Sequence, residues 1–328
     1  MNKQELFEYF ETPRVLMAPM AGVSDKVYRS IMLEHGADLA YTEMVSATGL
    51  IYGSKATLEL LDPYKTEDKL AVQLFGREPH VMAQAASMVQ EYLGEKLELI
   101  DINMGCPVTK VVKKGEGSAL LLDPDRAQQI VLAMSNEVSV AISAKIRSAY
   151  TKDNPVFLEV AQALEAAGIA ALGFHGRSRG QGYRGLANRA YLDELVKQST
   201  VPIIASGDVM SASDSLDYLS RGAKAVFVAR GSYGNPWIFK QTKEALQGRQ
   251  LEKPSLYERI ACARVHMRRA QEEGLNPGRM RKISAWYLKG MPEANMWRSK
   301  SMKAVSFEDF EGIYKELEAK LEVYARWN

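Results

Sequence analysis

Cys106 lies in the segment ELIDINMGCPVTKVVKKGEGSALLLD, residues 98–123. The segment opens as a buried strand, with Leu97, Leu99, Ile100 and Ile102 apolar, and closes as a loop. Asn103, Gly105 and Cys106 stand at the strand's C-terminal tip, and Pro107 stops regular pairing there. Small and basic residues come next: Lys110, Lys113, Lys114, Gly115, Gly117 and Ser118. A thiol on such a loop, beside an amide and a glycine, suits chemistry on a planar ring. An inert core cysteine is the alternative that position alone leaves open.

Other reactive side chains recur behind short apolar runs. The runs are 15–17, 39–41, 70–74, 97–102, 140–145, 170–174, 202–205 and 225–228. At their C-terminal ends stand, in order, Ala18-Pro19-Met20-Ala21-Gly22, Thr42-Glu43-Met44, Gln73 with Gly76, the Asn103 to Pro107 stretch, Lys145-Ile146-Arg147, His175-Gly176-Arg177, Ser206-Gly207-Asp208 and Ala229-Arg230-Gly231. Amphipathic segments at 79–93, 124–134, 156–167 and 211–219 separate several of the runs. Apolar strands alternating with helices predict parallel β/α units covered on both faces. Eight of them predict a (β/α)8 TIM barrel, whose sites form at the C-terminal strand ends. An open doubly wound sheet is the runner-up, but a Gly-rich fingerprint is missing after the first strand. The small turns at Ser206-Gly207 and Ala229-Arg230-Gly231 suit a phosphate cradled by backbone N–H groups, with Arg230 adding charge. Lys145 and His175 then face the polar edge of the ring that carries the phosphate. A cation at a flavin's N1–C2 carbonyl edge stabilises its reduced anion.

The bulk properties bound these readings. The 328 residues are 46% apolar and 25% charged, enough for a barrel and a smaller domain. We expect a barrel over 1–240 and an all-α C-terminal domain over 241–328. The two cysteines, Cys106 and Cys262, make neither a disulfide framework nor a metal-like spacing. The N-terminus carries no apolar leader and no run is long enough to span a membrane, so a cytoplasmic protein without metal is expected. The formal net charge is only +2, but ten basic residues face three acidic ones between 264 and 303. Trp286, Tyr287 and Trp297 are interleaved with them. That mixture suits a polyanion with stackable bases, and a solvated helical surface is the plainer alternative.

These motifs together resemble the tRNA-dihydrouridine synthases, closest to their bacterial B-type branch. The resemblance rests on the Ala18–Gly22 turn, Gly36-Ala37-Asp38, Thr42 to Ser46, Val72-Gln73-Leu74, Asn103-Met104-Gly105-Cys106-Pro107 with its basic tail, Lys145-Ile146-Arg147, His175-Gly176-Arg177, Gly207-Asp208, Arg230-Gly231 and Gly234 to Trp237. It continues into Met280-Arg281-Lys282, Trp286-Tyr287 and Gly290. Departures fall at Ser206, Ala229, Ser148-Ala149 and Ile283.

The resemblance implies an FMN enzyme that reduces the C5=C6 bond of tRNA uridines to 5,6-dihydrouridine, with NADPH or NADH as reductant. Hydride comes from flavin N5 to C6. Cys106 is then the catalytic acid for C5, since a thiol near its ordinary pKa of about 8.5 stays protonated at neutral pH. Pro19, Met20 and Ala21 line the flavin, Gln73, Lys145 and His175 face its polar edge, and Ser206, Gly207, Asp208, Ala229 and Arg230 take its phosphate end. Asn103 and Arg177 meet the uridine, and Lys113, Lys114, Arg281 and Lys282 hold the tRNA. The target base must be turned out of folded RNA to reach such a pocket. A monomer is expected. The two competing functions are a flavin barrel oxidoreductase of a small pyrimidine or enone, and a non-catalytic RNA-binding barrel.

Overall fold

The computed structural model describes residues 1–152, 154–249 and 252–327. Its eight strands are β1 Arg14–Met17, β2 Leu39–Ser46, β3 Leu70–Phe75, β4 Leu97–Met104, β5 Ala141–Arg147, β6 Ala171–His175, β7 Ile203–Ser206 and β8 Ala225–Val228. Each pairs in parallel with the next, and β8 returns to β1 with Leu16 opposite Phe227, so the sheet closes into a TIM barrel. Helices such as Pro79–Leu93, Pro124–Glu137, Phe157–Ala166 and Ala212–Ser220 cover the outside. Pro79 and Pro124 stand at the first helical turn, where a missing N–H costs nothing.

Two-residue alternation sorts the strand side chains. Val15, Met17, Val226 and Val228 pack outward under the helices. Leu16, Ala71, Leu99, Ile204 and Phe227 fill the lumen. The same period carries Gln73, Asp101, Asn103, Lys145 and His175 upward along the inner wall. The register agrees, since Gln73 lies opposite Asp101 and Asn103 opposite Lys145.

Six strands, β2 to β7, run beyond the apolar runs that announce them. β2 reaches Ser46 and β4 reaches Met104. Their polar residues stay in the sheet because they are hydrogen-bonded there. Thr42 Oγ1 accepts the Gln73 N–H at 3.1 Å, and Glu43 accepts the Gly22 N–H at 2.5 Å. A short helix, Lys3–Tyr9, was not foreseen. Asn2 and Glu5 close it with a reciprocal capping box, and Leu6 and Phe10 plug the lower end of the barrel.

After the helix Ile238–Leu246 the chain forms four helices: Leu256–Glu272, Pro277–Tyr287, Ala294–Lys303 and Phe307–Trp327. Of the 241–328 segment, residues 250, 251 and 328 lie outside the described set. The helices dock beside the top of the barrel. The Tyr233 and Trp286 rings stack with centroids 3.7 Å apart and planes within 5°. Gly234 lets them meet: its φ is +65°, and a Cβ there would lie 2.4 Å from the Trp286 carbonyl oxygen. Arg279 reaches back to Glu43, and Arg269 pairs with Glu34 at 2.8 Å. Among the described residues no helix is long and apolar enough to cross a membrane.

Candidate active site

A cavity of about 350 Å³ opens at the C-terminal ends of the strands, and every one of the eight strand ends contributes to its wall. This is within the range that small-ligand sites occupy. It gathers Pro19, Met20, Ala21, Gln73, Asn103, Cys106, Lys145, His175, Ser206, Gly207, Asp208, Ala229 and Arg230. Five expected residues lie elsewhere. Arg177 stands behind His175, only 2% exposed. Lys113 and Lys114 are exposed on the continuation of the Cys106 loop. Arg281 and Lys282 ride on the helix Pro277–Tyr287, where Arg281 Nε donates to the Ala304 carbonyl at 2.6 Å.

Cys106 is half-buried and unpaired. Its loop is held from both sides. Asn103 Oδ1 accepts the Cys106 N–H at 2.9 Å and the Gly105 N–H at 3.3 Å. Arg147 Nε donates to the Gly105 carbonyl at 2.7 Å, and the Ser118 N–H reaches the Cys106 carbonyl at 3.2 Å. Burial pushes the thiol pKa up, against smaller opposing effects of the Val108 N–H and the Arg147 charge. The sulfur is therefore an S–H at neutral pH, a proton donor rather than a nucleophile.

Asn103 is more committed than an expected base-reading amide. Its Nδ2 donates to Gln73 Oε1 at 2.7 Å, and its oxygen serves the loop. One N–H remains for a ligand. Gln73 Nε2 in turn donates to Asp101 Oδ2 at 2.7 Å, and Ser143 Oγ donates to Asp101 Oδ1 at 2.6 Å. Burial raises the Asp101 pKa to about 6, and both of its oxygens accept hydrogen bonds, as those of an ionised carboxylate do.

Lys145 is the group that most needs a ligand. Burial, then the Arg147 charge, pushes its pKa down to about 8, against the Asp101 charge. Its Nζ sits 5.8 Å from the Phe227 ring centroid and makes no hydrogen bond or ion pair among the described residues. A lumen ammonium with no acceptor fits an anionic or carbonyl-rich ligand edge. His175 is held well below its ordinary pKa by burial and then by Lys145, Arg147, Arg177 and Arg230, so it is a neutral imidazole. Its Nε2 lies 3.4 Å from an Arg177 nitrogen, which fixes Nε2 as the acceptor.

The seventh and eighth strand ends carry the phosphate candidates. Gly207 has φ +110°, and a Cβ there would lie 2.6 Å from the His175 ring. Asp208 has φ +52°. Its carboxylate pairs with Arg177 at 2.6 Å and Arg230 at 3.0 Å, so its side chain holds guanidinium groups. Burial would raise its pKa, but the Ala187 N–H and Arg177 outweigh that and lower it. Only backbone N–H groups here, with the remaining field of Arg230, suit an anion. The neighbouring wall, after β1 and on β2, is apolar, from Pro19, Met20, Ala21 and Met44. Apolar wall, partnerless ammonium and glycine-built turn together fit a flat, acceptor-edged ring with a phosphate tail. Among the described residues no group of His, Cys, Asp and Glu is placed to hold a metal ion.

Several wall residues have no role evident from sequence. Arg147 was visible two residues after Lys145, on the same strand face. Tyr183 lies in the loop after β6 with the Arg230 guanidinium 4.6 Å from its ring centroid, and no periodicity marks it. Tyr233 is equally silent, while Met44 shows only as part of the Thr42-Glu43-Met44 strand end.

A dihydrouridine synthase family model matches residues 16–323. A tRNA-dihydrouridine synthase B of Pasteurella multocida is 37% identical over 292 residues, covering 87% of this chain and 86% of the relative. A probable tRNA-dihydrouridine synthase of Treponema pallidum is 34% identical over 316 residues, covering 92% of each. A solved 2-naphthoyl-CoA reductase complex superposes with a TM-score of 0.53 at 12% identity, over 73% of this chain and 50% of that one, a likeness of fold alone.

Proposed function

This chain belongs to the dihydrouridine synthase family, of the bacterial B type, and from that premise we propose that it reduces specific uridines in tRNA to 5,6-dihydrouridine with FMN as its resident cofactor. The observation that carries the reading is one cavity holding a protonated thiol and a lumen ammonium with no hydrogen-bond or ion-pair partner among the described residues. When bound, FMN supplies the hydride that C6 of the uridine receives, after reduction by NADPH or NADH.

The protein's own residues do the rest. Pro19, Met20 and Ala21 form the apolar face against which a flat ring packs. Lys145 gives its charge to the ring's acceptor edge and stabilises the added negative charge of the reduced state. Gln73 and neutral His175 complete that edge. Backbone N–H groups at Ser206 to Asp208 and Ala229 to Arg230 hold the phosphate end. Cys106 gives its S–H proton to C5, and its loop is held by Asn103 and Arg147 so that the donor is in place before the base arrives. The thiolate regains a proton from solvent. The last N–H of Asn103 is available to a uracil carbonyl.

The base reaches this cavity only after leaving the RNA stack. Lys113 and Lys114 continue the acid's own loop, so they meet the backbone of the nucleotide whose base is turned in. The helices after about residue 240, with Lys282, hold the rest of the tRNA by phosphate contacts. The protein is read as a cytoplasmic monomer.

Two measurements test the proposal. The purified protein should show a flavin absorption spectrum, and tRNA from cells lacking the gene should lose dihydrouridine at one or more positions. A colourless protein, or an unchanged dihydrouridine map, would contradict it.

A further inference from the structure

We infer that Asp101 is a positioning residue that sets the direction of a buried hydrogen-bond chain ending on the Cys106 loop. Asp101 is 1% exposed and lies below the cavity, outside its wall. It touches neither Cys106 nor the space a ligand would fill. Its two oxygens accept from Ser143 Oγ at 2.6 Å and from Gln73 Nε2 at 2.7 Å.

The order of the chain is set by what each group can donate. An ionised carboxylate only accepts, so Gln73 must turn its NH₂ toward Asp101. The Gln73 oxygen then faces Asn103 and accepts from Nδ2 at 2.7 Å. Asn103 is thereby forced to turn its own oxygen to the loop, where it takes the N–H groups of Cys106 and Gly105. Either amide alone could sit with oxygen and nitrogen exchanged. With a carboxylate at one end and backbone N–H groups at the other, only one order satisfies every bond. The order has a second consequence. The spare hydrogens of Gln73 and Asn103 are both N–H donors, so this part of the wall offers donors to acceptor groups on a ligand.

Asp101 therefore acts at a distance, through Gln73 and Asn103, on where the thiol stands. The inference rests on the proton-donor reading for its functional meaning. Its test reads the network itself. Full-length protein as purified is alkylated with iodoacetamide at fixed pH, and the Cys106 peptide is tracked by mass spectrometry. The variants are D101N, D101L and Q73L. In D101N the new oxygen still accepts from Gln73, and the new NH₂ donates to Ser143, so the order survives. D101L and Q73L remove it.

Loss of the ordering bonds loosens the loop, and Cys106 is alkylated about tenfold faster in D101L and Q73L. In D101N the rate stays within about twofold. A wild-type rate in Q73L or in folded D101L overturns the inference. So does D101N as fast as D101L, because the lost charge would then be the cause. Circular dichroism reports folding, and if D101L does not fold, Q73L decides alone. Failure of Cys106 as the acid would show instead as full turnover in C106A, which leaves these rates untouched.

Discussion

Replacing Lys145 by Met should make the cofactor-free protein more stable and the enzyme nearly inactive. Methionine matches the length of the lysine stem without its charge, and it adapts to irregular space. An ordinary lysine titrates near 10.4, and the lumen holds Lys145 at about 8. At 1.36 kcal/mol per pH unit that gap sets a ceiling of about 3 kcal/mol on the cost of keeping the ammonium there. The side chain is half-buried, not sealed, so solvent relieves part of this, and about 1.5 kcal/mol is the reasonable size. An unfolding entropy of about 2.1 cal/mol/K per residue turns this into a rise of about 2 °C in Tm for a chain of this length.

The pH dependence of that rise separates charge from packing. Folding depresses this pKa, so between about pH 8 and pH 10.4 the unfolded chain binds the extra proton and wild-type stability climbs. The gain of K145M over wild type should thus be full below pH 8 and vanish near pH 10.4. The assay is thermal unfolding of both cofactor-free proteins from pH 7 to pH 10. A variant that melts lower than wild type at pH 7, or one whose advantage is the same at pH 10, would refute the reasoning.

Other outcomes rest on the same geometry. D208N leaves the buried Arg177 with carbonyl oxygens and the His175 ring but without its carboxylate, and should cost about 2 kcal/mol by thermal melt at pH 7. Because folding lowers the Asp208 pKa, that deficit should be full above about pH 4 and disappear as pH falls through the folded value. G234A places a Cβ against the Trp286 carbonyl at a left-handed backbone position. It should cost about 2–4 kcal/mol and disturb the Tyr233–Trp286 stack, read by tryptophan fluorescence. The K113A/K114A double variant should keep its flavin spectrum and weaken tRNA binding uniformly. The slope of log K against log salt should become shallower by about 1 to 2.

Much of this architecture can be read from the chain. Eight short apolar runs imply the barrel because parallel strands are covered on both faces and must be apolar throughout. The reactive positions are legible for the same reason, since Gln73, Cys106, Lys145 and Arg230 all stand at the ends of runs that point one way. What escapes is the pairing of polar groups with one another. Glu43 reads as a loop residue, yet it is a strand residue clasped by Gly22 and Arg279. Asp101 reads as an interruption of an apolar strand, and only the register with Gln73 and Ser143 explains it. Asp208 reads as a phosphate-site residue, while its carboxylate is turned to two arginines. Tyr183 sits in an irregular loop that no period announces. Contacts between segments far apart in sequence carry no local signature, and these were the ones missed.

The central claim is that the Cys106 thiol is the acid that completes uridine reduction in tRNA. Its most direct measurement is dihydrouridine formed per minute by purified C106A and wild-type protein, each with bound flavin, NADPH and tRNA lacking the modification. Wild type should add two hydrogens per target uridine, while C106A should keep its flavin spectrum but slow by about 10²–10⁴-fold, the range for loss of a positioned acid. Equal rates in the two proteins would contradict it.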